Sequence, residues 1–245
     1  MKEIFDVFLG FDLSVFEWVQ SIQNPILTAI MVTITTLGDE GIIFIAMGLV
    51  LFCTKKYRKV GMSVLLALLV MLVLNNYVLK ELIARPRPFY VFDLEGLMAD
   101  QGVFAEAGKT ARFDYLVERI TAMIEKYPEL AAKWTSTYHF PNFVDKLTSF
   151  SFPSGHTSSA FAAAIAVLWY DRKIGIPATI FAAIMGFSRI YVEVHYCSDV
   201  IAAMLVSVVY AVIGVLIAKL LYPVVEKVIS AIKAKLPKKK TADAE

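Results

Sequence analysis

Between Val60 and Leu79 the chain carries no charged side chain: VGMSVLLALLVMLVLNNYVL, continuing through Lys80 to Ile83. A helix needs roughly 20 such residues to cross the ~30 Å hydrocarbon core of a bilayer, where the backbone must satisfy its own hydrogen bonds. Further apolar runs cover Phe161 to Tyr170 (extended back towards His156), Ile176 to Tyr191 and Val200 to Tyr222. Ile42 to Cys53 is apolar but short, and Phe16 to Leu37 is moderately apolar with a kink expected at Pro25. The Gly38-Asp39-Glu40-Gly41 stretch between these two reads as a turn.

The composition agrees: 58% of the 245 residues are hydrophobic and 19% charged, against about 45–50% and about 25% in soluble domains. The expectation is an all-α, polytopic membrane bundle of about six helices, organised as a single domain over 1–245. A net charge of +2 makes no case for nucleic acid. The two cysteines, Cys53 and Cys197, have neither disulfide-framework nor zinc-site spacing. Glu3 and Asp6 near the start, with no compact apolar segment and cleavage site after them, do not read as a signal peptide.

Short-loop positive charge sets orientation. Lys55, Lys56, Arg58 and Lys59 lie between helices two and three, Arg172 and Lys173 between four and five, and Lys227 to Lys240 in the tail. Six helices place all three segments on one side, expected to be cytoplasmic, with the basic tail as an anchor to anionic lipid. The opposite, extracytoplasmic side then carries the Gly38–Gly41 turn, the segment from Pro86 to Pro153, and the turn at His195. Residues 89–150 are too polar to span. Within them Phe113, Leu116, Val117, Ile120, Met123, Ile124 and Tyr127 recur at helical spacing. This insertion reads either as a cap packed on itself or as a lid whose apolar face guides a lipid tail.

Three polar clusters interrupt the apolar pattern. Lys80 and Arg87, seven apart, stand at the end of the third helix, with Pro86 expected to end it and bend the backbone. Alone they read as basic residues snorkelling to headgroups. Phe152-Pro153-Ser154-Gly155-His156-Thr157 then precedes an apolar helix, with Ser154 as a candidate N-cap. Amides at such a terminus make an anion site, and Gly155 admits close approach; an ordinary capped helix fits these residues equally well. In the third cluster, Ser188 to Asp199, His195 and Asp199 are four apart, so one helical turn can bring carboxylate to imidazole. That contact leaves the other ring nitrogen free to attack or accept a proton. Arg189 adds a guanidinium fork. Two of the three histidines lie in these clusters; the third, His139, reads as structural. Cations and helix-end amides, an oriented histidine and a second histidine together suit phosphoryl transfer through a phosphohistidine, with no carboxylate cluster for magnesium.

These segments resemble the signature of the type 2 phosphatidic acid phosphatase superfamily: Lys-x6-Arg-Pro, then Pro-Ser-Gly-His, then Ser-Arg-x5-His-x3-Asp. They match at Lys80, Arg87 and Pro88; at Pro153 to His156; and at Ser188, Arg189, His195 and Asp199. The resemblance implies that His195 is the nucleophile and Asp199 its orienting carboxylate. It implies that His156 is the acid for the leaving group and then the base for water. Lys80, Arg87, Ser154, Gly155 and Arg189 look like the phosphate cradle. It further implies an enzyme without metal or other cofactor, acting on a lipid phosphate near the outer interface of the plasma membrane. Undecaprenyl diphosphate and phosphatidylglycerophosphate are the leading substrates, the polyprenyl diphosphate being favoured. The alternatives are a phosphotransferase using a non-water acceptor and a non-catalytic lipid-binding protein. Cys197 stands where the family often has proline, and Glu193 where a small residue is common.

Overall fold

The structure is a computed structural model, and it describes residues 2–85, 87–88 and 150–235. The expected cap at 89–150, apart from Phe150, lies outside the described residues, as do its amphipathic stripe, His139, Pro86 and the lysines from 238 to 240. Every regular element among the described residues is helical. Seven helices are named here: α1 Lys2–Ile22, α2 Pro25–Leu37, α3 Ile42–Cys53, α4 Arg58–Ile83, α5 Gly155–Leu168, α6 Arg172–Tyr191 and α7 Cys197–Lys235.

The expected single helix from Phe16 to Leu37 is two helices. Asn24 caps the second, its Oδ1 accepting from Leu27 N at 3.0 Å, and Pro25 follows as the first helical residue. Proline lacks the N–H that would go unused there, so it starts α2 rather than kinking a longer helix. The Gly38–Gly41 turn forms as expected, as a short 3-10 turn at Asp39–Gly41 with Glu40 and Gly41 at positive φ. Across it α2 and α3 bend by 47°.

Among the described residues, three helices are long and apolar enough to cross a bilayer: Arg58–Ile83, Arg172–Tyr191 and Cys197–Ile232. There are four spans if the bent α2–α3 pair is one. This apolar framework makes the chain an integral membrane protein. The expected count of six goes beyond these spans. α1 does not meet this criterion of length and hydropathy. α5 has 14 residues, about 21 Å at 1.5 Å per residue, and sits at the centre of the bundle, packed by helices on several sides. Ala160, Ala162, Ala163, Ala164 and Ala166 on it are all buried, against α4, α6 and α7. Hydropathy alone cannot separate these two fates of an apolar helix.

Small residues let the helices close up, as they must where lipid tails are as apolar as leucine. A Cβ on Gly61 would fall 2.1 Å from Phe52 N, so α4 touches the backbone of α3. A Cβ on Gly214 would fall 2.4 Å from Ala67 N, where α7 crosses α4. The alternation of these helices leaves the end of α4, the start of α5, the end of α6, the start of α7 and the α2–α3 turn at one end of the bundle. At the other end the basic loops meet the tail: Arg58 pairs with Glu226 at 2.7 Å, and Lys59 lies over the rings of Tyr170 and Tyr222.

Candidate active site

α4 changes hand-hold just before the site. Its Leu72–Leu79 stretch is a π-helix, and buried Asn75 within it accepts from Ser158 Oγ of α5 at 2.8 Å. Such wider turns recur at functional sites because they re-aim the next side chains. Lys80 follows, and a Cβ on Gly155 would lie 3.7 Å from its Nζ. Among the described residues, none gives that ammonium a hydrogen bond or an ion pair. Ala84, at φ 50°, ends the helix in a left-handed turn, and the chain doubles back so that Arg87 reaches the turn before α7. There Arg87 Nη1 donates to Val194 O at 2.9 Å and lies 3.2 Å from His195 Nε2.

His195 is almost wholly buried. Its Nδ1 is 3.6 Å from Asp199 Oδ2 and 3.4 Å from Ser151 Oγ. The sequence spacing suggested one helical turn between His195 and Asp199. Instead α7 starts at Cys197, and His195 sits in the turn ahead of it. Asp199 lies in the first turn of α7, where its Oδ2 accepts the Tyr196 N–H at 3.1 Å and also the Ser151 hydroxyl. Negative charge is favoured at a helix N-terminus. With Nδ1 facing carboxylate and hydroxyl, the proton of a neutral ring belongs on Nδ1, and the Nε2 lone pair faces the Arg87 guanidinium. Burial pushes the His195 imidazole well below its ordinary value of 6.5, and the charges of Arg87, Arg189, Lys80 and His156 add to that shift. That shift favours the neutral ring, the state in which a lone pair can attack.

Ser154 takes the residue position before α5 but does not cap it. Its hydroxyl accepts from Thr157 Oγ1 at 3.0 Å, and its N–H donates to Asp199 O at 3.4 Å. The first amides of α5 are thus not consumed by that side chain. His156, one residue into the helix, lies 3.1 Å through Nε2 from Asp39 Oδ1 in the α2–α3 turn. Arg189, at the end of α6, donates from Nη1 to the buried Thr35 hydroxyl of α2, and its carbonyl accepts from Val194 N and His195 N. Lys80, Arg87, Ser154, Gly155, His156, Arg189, His195 and Asp199 thus converge on one end of the bundle.

Sequence reasoning assigned no part to Arg85, Asp12, Ser151, Asp39 or Thr35. Arg85 Nη1 donates to Asp199 Oδ1 at 2.6 Å and its Nη2 to Asp12 Oδ2 at 2.9 Å. The available signal for Asp12 was an ionisable residue in an apolar stretch of α1. Ser151 gave none. Among the described residues, no group of three or more His, Cys, Asp or Glu side chains is placed to hold a metal ion. Three cations, Lys80, Arg87 and Arg189, gather near the His195 imidazole, with the carboxylates of Asp199 and Asp39 set against the two histidines.

The family model of the PAP2 superfamily matches residues 56–225, which contain the three clusters. The chain belongs to the PAP2 superfamily. Over 94 residues this PAP2 protein is 44% identical to the undecaprenyl-diphosphatase BcrC of Bacillus subtilis, over 37% of this chain and 49% of that protein. The match thus spans about half the relative's length. The undecaprenyl-diphosphatase of Sulfolobus acidocaldarius is 25% identical over 200 residues, covering 81% of this chain and 74% of that one. Among solved structures, it is similar to the first transmembrane PAP2 type phosphatidylglycerolphosphate phosphatase from Bacillus subtilis. The TM-score is 0.52 at 21% identity, over 85% of this chain and 84% of that one, a likeness of fold.

Proposed function

We propose that this PAP2 protein is a lipid-phosphate phosphatase that forms a phosphohistidine at His195, with its site at the extracytoplasmic face. The observation that carries the reading is the buried His195, with Nδ1 turned to Asp199 and Nε2 turned to Arg87. In the first step Nε2 attacks phosphorus as the bond to the leaving oxygen breaks, and His156 gives that oxygen its proton. Lys80, Arg87, Arg189, the Ser154 hydroxyl and the Gly155 amide hold the charge of the equatorial oxygens. Asp199 stabilises the positive charge that develops on His195, as Asp39 does for protonated His156. In the second step His156 takes a proton from water, water oxygen bonds to phosphorus, and the N–P bond breaks to release phosphate.

The substrate we favour is a polyprenyl diphosphate, supported by the two relatives named for undecaprenyl diphosphate. The extracytoplasmic placement is supported by the site lying at the end of the bundle opposite Arg58, Lys59 and Arg172. The test is phosphate release by the full chain in detergent with EDTA, from undecaprenyl diphosphate, phosphatidylglycerophosphate and phosphatidic acid. We expect release that persists in EDTA, disappears in His195→Ala, and passes through an acid-labile, alkali-stable phosphoprotein. Full turnover by His195→Ala would end the nucleophile assignment.

A further inference from the structure

We propose that Arg85 and Asp12 form a positioning pair for the Asp199 carboxylate, which makes helix α1 a working part of the active site. This rests on the reading of Asp199 as the partner of His195 given above. Asp12 lies outside the stretch matched by the family model, and Arg85 is not one of the motif positions.

The left-handed turn at Ala84 sends the next side chain back into the bundle, where Arg85 is buried. Its carbonyl accepts from Ser151 N at 2.7 Å, tying together the two segments that flank the insertion. Its guanidinium lies 3.8 Å over the Tyr196 ring, which fixes the plane of the fork. From there Nη1 serves Asp199 Oδ1 at 2.6 Å and Ser198 Oγ at 2.7 Å, while Nη2 serves Asp12 Oδ2 at 2.9 Å. Asp12 is fully buried and holds the start of α7 as well: Oδ1 accepts from Ser198 N at 2.8 Å and Oδ2 from Ser198 Oγ at 2.6 Å.

The two oxygens of Asp199 are thereby divided. Oδ1 belongs to Arg85, and Oδ2 is left for Ser151, the Tyr196 amide and the approach to His195. A carboxylate removed from water stays charged only with a paired cation and hydrogen bonds; otherwise it takes a proton. The charged and titratable groups acting on or with Asp199 are Asp12 from α1, Lys80 and Arg85 from the end of α4, and His195, Tyr196 and Cys197 from the turn into α7. Arg85 is the cation in direct contact with the carboxylate, and its planar fork can satisfy two carboxylates at once where an ammonium cannot. Asp12 keeps that fork from turning away.

The experiment uses the full chain in detergent with EDTA and undecaprenyl diphosphate as probe, comparing Arg85→Gln, Arg85→Lys and Asp12→Asn. In Arg85→Gln we expect kcat to fall roughly 10- to 100-fold, by analogy with the partners that orient metal-ligating histidines. KM should stay near wild type, and the acid limb of kcat should move towards neutral pH. Asp12→Asn should lower kcat with no such movement, because it removes a negative charge and leaves the cation in place. Arg85→Lys should restore the wild-type acid limb and only part of kcat. Infrared spectroscopy supplies a readout free of turnover: Arg85→Gln should show a protonated-carboxyl stretch that is lost in Arg85→Gln/Asp199→Asn and absent from wild type.

A brace that merely stabilises the fold would lower the unfolding temperature and leave the pH profile and the carboxyl band unchanged in folded protein. That result overturns the pairing even while His195→Ala is dead. Should Arg85→Gln not fold, Asp12→Asn with wild-type kcat is the overturning result. If wild type releases no phosphate, the reading under Proposed function fails, and the infrared band still decides this one.

Discussion

Gly155→Ala separates binding an anion from folding the bundle. At Gly155 a new Cβ would stand 3.7 Å from Lys80 Nζ and 3.9 Å from Asn76 Oδ1, ordinary van der Waals distances, and the glycine φ is not in the left-handed region. The fold loses nothing by the methyl. It gains roughly 0.5–1 kcal/mol, because alanine has less chain entropy to lose in a helix than glycine. The same methyl occupies the space between the α5 backbone and the Lys80 ammonium, where a phosphate oxygen must come to about 2.7–3.1 Å from its donors. Denying that position costs about what a lost oxyanion donor costs, roughly 2.7–4 kcal/mol or 100- to 1,000-fold in kcat. The assay is phosphate release from undecaprenyl diphosphate alongside thermal unfolding in the same detergent. Turnover within twofold of wild type would refute the approach of an anion to this backbone, and a marked loss of stability would refute the packing argument.

The pH dependence follows from His195. Its proton affinity is depressed in the fold, so well above pH 6.5 the ring is neutral both folded and unfolded; as pH falls through 6.5 the unfolded chain takes the proton first and stability declines. Thermal unfolding scanned downward from pH 7.5 should show that decline, and the acid limb of kcat/KM should lie below 6.5. Asp39→Asn removes the carboxylate 3.1 Å from His156 Nε2; it should slow phosphomonoesters more than diphosphates, since an alcohol needs the proton more than a phosphate leaving group does, and equal slowing in parallel kinetics would count against the acid role. Gly61→Val drives a side chain into the α3 backbone 2.1 Å away. It should cost at least the roughly 1–3 kcal/mol of an overpacked core, seen as a lower unfolding temperature.

Membrane character and the residues of the three clusters were legible in the sequence because both are local. Hydropathy is a sum over neighbours in the chain, so the runs at 60–79, 176–191 and 200–222 announce themselves. Phosphoryl chemistry demands particular side chains, so Lys80, Arg87, His156, Arg189, His195 and Asp199 stood out from the apolar helices around them, and the structure gathers them at one end of the bundle. The fate of each apolar helix was not local. α5 and α7 are similarly apolar, yet Ala160–Ala164 of α5 are buried among helices while Leu205, Val209, Leu216 and Leu220 of α7 face outward. An apolar side chain carries no mark of whether lipid or protein will cover it.

The supports of the site were hidden for the same reason. Which hydroxyl reaches Asp199, which carboxylate reaches His156 and which acid steadies Arg85 depend on how helix ends meet across long stretches of chain. Ser151, Asp39 and Asp12 have no fixed spacing to the groups they hold. The polar clusters are marked in the sequence by their spacing among apolar residues; their partners were chosen by packing, which only the folded bundle determines.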